Sequence, residues 1–175
     1  KTLLVDAGDE MQGSLLSNIW KGESTIATYN QMGYGVATFG NHEFDWGKDV
    51  LADRVGQATF PYVSANIVLN DTGSCSTAGW TKAPFVDAPY EIKTIGTAPD
   101  AAKVAFIGVT TQETPVITIA SATAGLCFKD PTESILHYFD AMKADGADVV
   151  VVLSHLGYGD GGYMPSTAGH LVENG

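Results

Sequence analysis

Short apolar runs alternate along this chain with stretches of helical spacing, and that alternation admits few folds. Residues 2–5 and 36–39 read as short buried strands, and residues 23–32 and 49–58 as the helices that follow them. Ile26, Ala27 and Tyr29 share one face of the first helix, and Val50, Leu51, Val55 and Ala58 one face of the second. Gly33 stands where a left-handed helix end is wanted. Residues 61–67 read as a third strand, followed by a turn-rich excursion over 70–80. Residues 90–95 and 103–109, joined by a flexible connection, predict an antiparallel pair and hence a mixed sheet. The stretch 110–124, with scattered Thr, Pro and Gly, carries no periodic signal. Asp130-Pro131-Thr132-Glu133 is a helix start, with Asp130 as cap. Ile135, Tyr138, Phe139 and Met142 then mark a buried stripe, and His137 falls opposite it, toward solvent. Residues 149–153, four of them Val, predict a central strand buried on both faces. The class implied is an α/β domain.

At 175 residues the chain has one domain's worth of sequence. With 45 % hydrophobic and 17 % charged residues it is not of the disordered class, and no apolar run reaches the length of a membrane span. The net charge is −11, with only nine Lys and Arg, so the basic stripe that binds nucleic-acid polymer is missing. A small phosphate ester would be repelled as well, unless bound cations reversed the local field.

Cys75 and Cys127 are the only cysteines, both in loop-like sequence without zinc-finger spacing. Two readings stand: a bridge in an oxidising compartment, or two reduced thiols in a cytosolic protein. The chain starts at Lys1 inside an apolar run rather than at an initiator Met, which predicts that something upstream has been removed.

Potential ligands recur at equivalent places. Asp9, the pair Asn41 and His42, and His155 each follow directly on a predicted strand, where open sheets of this class bind ligands. A carboxylate, an amide oxygen and an imidazole suit a borderline divalent metal such as Zn²⁺ or Mn²⁺. Asp45 is placed to hold the His42 imidazole in one tautomer. The alternative for each is an ordinary turn or strand-end role.

Four blocks together resemble a known family. Asp6-Ala7-Gly8-Asp9-Glu10-Met11-Gln12-Gly13-Ser14, Gly40-Asn41-His42-Glu43-Phe44-Asp45-Trp46-Gly47, Ser64-Ala65-Asn66-Ile67 and Leu153-Ser154-His155-Leu156-Gly157 look like successive motifs of the 5′-nucleotidase branch of the calcineurin-like metallophosphoesterases. The resemblance implies a four-layer α/β/β/α sandwich with mixed sheets and a site of two divalent metal ions that hydrolyses a small phosphate ester, such as a nucleotide. Asp9 would bridge the ions and Asn41 and His155 would bind the second. His42, oriented by Asp45, would serve the phosphoryl oxygens or the leaving group. A periplasmic, cell-surface or secreted location follows from the same resemblance and from the bridged reading of Cys75 and Cys127.

Departures from the family pattern bear on the same expectations. The Asp-x-His strand that opens the family's site has no counterpart before Thr2, and Gly169-His170-Leu171-Val172 lacks the second ligand of the closing motif. Residues 166–174 read instead as the helix before that motif. Residues 1–175 are thus expected to be the central part of one catalytic domain, incomplete at both ends, inactive alone and prone to associate through exposed sheet edges. Two other functions stand beside hydrolysis of nucleotides: a non-catalytic binding module on a degenerate phosphoesterase fold, and a related hydrolase acting on cyclic nucleotides, sugar nucleotides or a sulfur ester.

Overall fold

The computed structural model describes residues 2–157. The expected helix at 166–174, with Gly169 and His170, lies outside the described residues. In chain order the elements are β1 (Leu4–Asp6), α1 (Leu15–Ile19), α2 (Glu23–Met32), β2 (Tyr34–Ala37), a 3-10 turn (His42–Phe44), α3 (Lys48–Gln57), β3 (Ile67–Leu69), β4 (Tyr90–Ile95), β5 (Ala102–Thr110), α4 (Thr114–Ile117), α5 (Ala120–Thr123), β6 (Leu126–Phe128), α6 (Pro131–Ala144) and β7 (Val149–His155). It is a mixed α/β arrangement of small sheets. β1 and β2 pair in parallel, β3 and β6 pair antiparallel, and β5 lies between antiparallel β4 and parallel β7.

Local sequence accounts for the long helices. Gly33, at φ 75°, closes α2 in the left-handed conformation, and Ile26 is its buried anchor. Asp130 caps α6 by accepting the Glu133 N–H at 2.8 Å, with Pro131 in the first turn. β5 is the strand the core is built on, because it is covered on both faces. Ala105, Ile107 and Val109 pack with Met142 of α6 on one side, and Val104 and Phe106 pack with Val36 and Val63 on the other. A second, aromatic core joins Phe39, Phe44, Phe85 and Phe128 through edge-on contacts with centroids 5.5 to 5.9 Å apart.

Several expectations need correction. Residues 149–153 are not a central strand among the described residues: β7 pairs only with β5, and Val149 and Val152 are 49 % and 37 % exposed. Residues 61–67 do not run as one strand. Tyr62 bridges Ala37 and Val63 bridges Ala88, and the regular strand starts only at Ile67. The backbone changes partners along the stretch, from Ala37 to Ala88 to Gly108, and the buried Asn66 side chain adds to these bonds, accepting the Thr110 N–H and donating to the Thr110 and Lys129 carbonyls. On α6, Phe139 is exposed and Ser134 is buried instead, its hydroxyl returned to the Asp130 carbonyl. His137 is exposed, yet its ring stacks on Trp80 at 4.0 Å rather than standing free in solvent. Ala27 faces outward. Short helices α4 and α5 fall within 110–124, where no periodic signal appears, and α1 in a stretch with no predicted element, all too brief to show a period. Cys127 lies in β6, not in a loop, and is joined to Cys75 of the excursion. No helix among the described residues is long and apolar enough to cross a membrane.

Candidate functional site

The parallel strands β1, β2 and β7 all deliver their last residues to one end of the sheets. Asp6 ends β1, and its Oδ1 accepts the Gly8 N–H at 2.7 Å, turning the chain sharply. Gly8, at φ 96°, then lies directly against Gly40: a Cβ built on Gly8 would be 2.2 Å from the Gly40 nitrogen. The loop after β1 and the loop after β2 therefore cross backbone to backbone. Asp9 follows with φ 67°, a left-handed conformation seldom held by a residue with a Cβ.

That crossing brings the expected ligands together. Asp9 Oδ2 lies 3.2 Å and Asn41 Oδ1 3.3 Å from Nε2 of His155, whose Nδ1 donates to the Ala7 carbonyl at 3.0 Å. With Nδ1 carrying the proton given to Ala7, the Nε2 lone pair faces two oxygens, an arrangement that calls for a proton or a cation among the three atoms. Asp9 Oδ1 is committed elsewhere, accepting the His42 N–H at 2.9 Å. Burial pushes the Asp9 carboxyl up, but the hydrogen bonds from His155 and the His42 amide outweigh it and hold the group below its ordinary value. The hydrogen bond to Asp9 raises His155 against the opposing effect of burial.

His42 stands beside this set, its ring 44 % exposed and its Nδ1 2.7 Å from Asp45 Oδ2. The hydrogen bond to Asp45 raises its affinity for a proton above the ordinary histidine value, despite partial burial. Such an imidazole is fixed in tautomer and presents Nε2 outward. Among the described residues no group of three or more His, Cys, Asp and Glu could hold a metal. The converging set contains two such residues and the amide oxygen of Asn41, donors that fit one borderline divalent ion.

Sequence reasoning missed two contributors. Glu43 is 1 % exposed, and its carboxylate accepts backbone N–H groups of Asp9, Gly40 and Met11 at 2.8, 2.6 and 3.2 Å. The signal available was a Glu enclosed by Phe39 and Phe44, where an ionisable group needs partners. Thr118, just after α4, donates to Asp45 Oδ1 at 3.2 Å across 73 residues, a contact that no local pattern encodes.

No protein-family model matches the sequence. The chain is 33 % identical over 157 residues to the snake venom 5′-nucleotidase of Gloydius brevicauda, covering 89 % of this chain and 25 % of the relative. Its fold superposes on the 5′-nucleotidase precursor from Thermus thermophilus with TM-score 0.72 and 35 % identity, over 90 % of this chain and 28 % of that one. It superposes on the calcineurin-like phosphoesterase YfkN from Bacillus subtilis with TM-score 0.73 and 26 % identity, over 94 % and 51 % respectively. The chain spans about 25 % of the length of the curated relatives it matches.

Proposed function

We propose, for a chain homologous to 5′-nucleotidases over about 89 % of its length and representing part of a calcineurin-like phosphoesterase region, that it supplies half of a metal-dependent phosphoric ester hydrolase site. Residues 1–175 would be the central part of one catalytic domain, with α6 and the sheet of β5 as two layers of a four-layer sandwich. The intact protein would hydrolyse nucleotides, in an extracytoplasmic setting that suits the Cys75–Cys127 bridge. The observation that carries this reading is the convergence of Asp9 Oδ2 and Asn41 Oδ1 on Nε2 of His155, beside a His42 held by Asp45.

Asp9, Asn41 and His155 would hold one divalent ion, with the His155 ring fixed by the Ala7 carbonyl. A bound ion supplies Lewis acidity and neutralises charge on the phosphoryl oxygens, which a surface of net charge −11 cannot do alone. His42, oriented by Asp45, would serve a phosphoryl oxygen or the departing alkoxide.

Titrating the 175-residue chain with Mn²⁺ and following paramagnetic broadening of the His155 ring signals tests the ligand set. Selective broadening that is lost in Asp9→Asn supports it, and a silent His155 sinks it. In the intact protein, His42→Ala should lower kcat against AMP by about 10² to 10⁴ with KM and metal content nearly unchanged. Full metal loading without any turnover in the intact wild type would favour the non-catalytic reading.

A further inference from the structure

The two loops that carry the candidate ligands are locked by carboxylates that exchange backbone amides. Asp9 of the first loop accepts the His42 N–H at 2.9 Å, and Glu43 of the second accepts the Asp9 N–H at 2.8 Å. The same Glu43 oxygen takes the Gly40 N–H at 2.6 Å, and its other oxygen takes the Met11 N–H at 3.2 Å. Glu43 therefore grips Asp9 through the amides at positions 9 and 11, and anchors that grip on its own loop through Gly40. The residue so gripped is one of the two non-glycine residues at positive φ among those described, and its backbone needs outside support to stay there. An apolar side chain could fill the same buried volume. It could not accept the amides: one Glu43 oxygen serves Asp9 and Gly40 across both loops, and the other adds Met11.

We propose that Glu43 is a positioning residue for the metal ligand Asp9, fixing its backbone so that Oδ2 points at Asn41 and His155; the inference rests on the ligand set proposed above. Both Glu43 oxygens are taken by backbone amides. Glu43 acts through the Asp9 amide, as outer partners of ligating groups do when they set metal affinity.

The test uses the 175-residue chain with Glu43→Ala and Glu43→Gln, reading Mn²⁺ affinity and amide hydrogen exchange together. Amides of β5, from Val104 to Val109, report global opening, and those of Asp9, Met11 and Gly40 report the grip. Glu43→Ala should weaken Mn²⁺ binding by about 10- to 100-fold and abolish protection at the three gripped amides. Glu43→Gln, which keeps one acceptor oxygen, should fall between Ala and wild type, and it serves as the folded comparison if the Ala variant opens. Lost protection at those amides with Mn²⁺ affinity unchanged in both variants would overturn the positioning role while leaving the ligand set standing. A wild type that binds no Mn²⁺ would bring down the ligand set, and this inference with it.

Discussion

Nδ1 of His42 lies 2.7 Å from Oδ2 of Asp45, and the remaining Asp45 oxygen is occupied by the Thr118 hydroxyl at 3.2 Å. The aspartate is thus fixed from both sides before it fixes the imidazole. Asp45→Asn removes the charge that raises the His42 proton affinity, so the His42 titration midpoint should move down toward the ordinary value. Because the folded-state pKa is raised, the pair stabilises the fold fully below the ordinary histidine pKa and loses that contribution as pH rises through the folded value. An NMR pH titration of the His42 ring in wild type and variant decides the matter, and an unmoved midpoint would show that Asp45 is a bystander.

The bridge between Cys75 and Cys127 closes a separation of 52 residues and joins the excursion over 70–80 to β6. In the chain-entropy model a loop of that size contributes about 4 kcal/mol. The double variant Cys75→Ala with Cys127→Ala should lose stability of that order in urea unfolding. A loss under about 1 kcal/mol would mean that the denatured chain is already ordered across that span.

Both helices with strong end signals, α2 and α6, were legible because Gly33 and the Asp130-Pro131 start act within one turn. The candidate ligands were legible for a related reason: Asp9, Asn41 and His155 each follow an apolar run, and parallel strands deliver such residues to one end. What sequence could not give depends on partners far away in the chain. Four valines in residues 149–153 say that a strand forms, but only pairing says that among the described residues β5 has two neighbours and β7 one. The irregular course of residues 61–67 reflects partners far apart in the chain, Ala37, Ala88 and Gly108 by backbone and Thr110 by the Asn66 side chain. Glu43 was missed because residue types do not identify backbone-amide partners, and its apolar flanks Phe39 and Phe44 say only that it needs some.

Alkaline stability offers a probe away from the site. Burial and the hydrogen bond given to Asp145 at 2.6 Å push the Tyr90 phenol up to about 12. A raised phenol favours the folded state below the ordinary value near 10 and loses that advantage as pH rises toward 12. Tyr90→Phe should therefore flatten part of the stability loss between about pH 10 and 12, by under about 1 kcal/mol since the pair is largely exposed to solvent. Tyr29, Tyr62 and Tyr138 shift in the same direction, so the difference between variant and wild type, not the wild-type slope, reports Tyr90 together with its neighbour Tyr138. Equal slopes in urea melts at about pH 9 and 11 would refute the assignment.

The sharpest test of the crossed loops is Gly40→Ala. A Cβ there would stand 2.2 Å from Asp9 Oδ1 and 2.7 Å from the Asp9 nitrogen, so backbone as well as side chain must move. The contact cannot be relieved by swinging the carboxylate alone, because Oδ1 holds the His42 amide and the Asp9 nitrogen is held by Glu43. Opening the crossing would turn Asp9 Oδ2 away from His155, separating the proposed ligands while leaving β5 and α6 intact. The expected result is a destabilisation of about 1 to 3 kcal/mol in urea unfolding, together with loss of measurable Mn²⁺ binding in the folded variant. Gly56, where an added Cβ meets no atom within 4 Å, supplies the control: Gly56→Ala in α3 should bind Mn²⁺ as wild type does. Mn²⁺ binding by Gly40→Ala equal to that of the control would mean that Asp9 does not owe its placement to the crossing, and the geometry assigned to the ligand set would have to be abandoned.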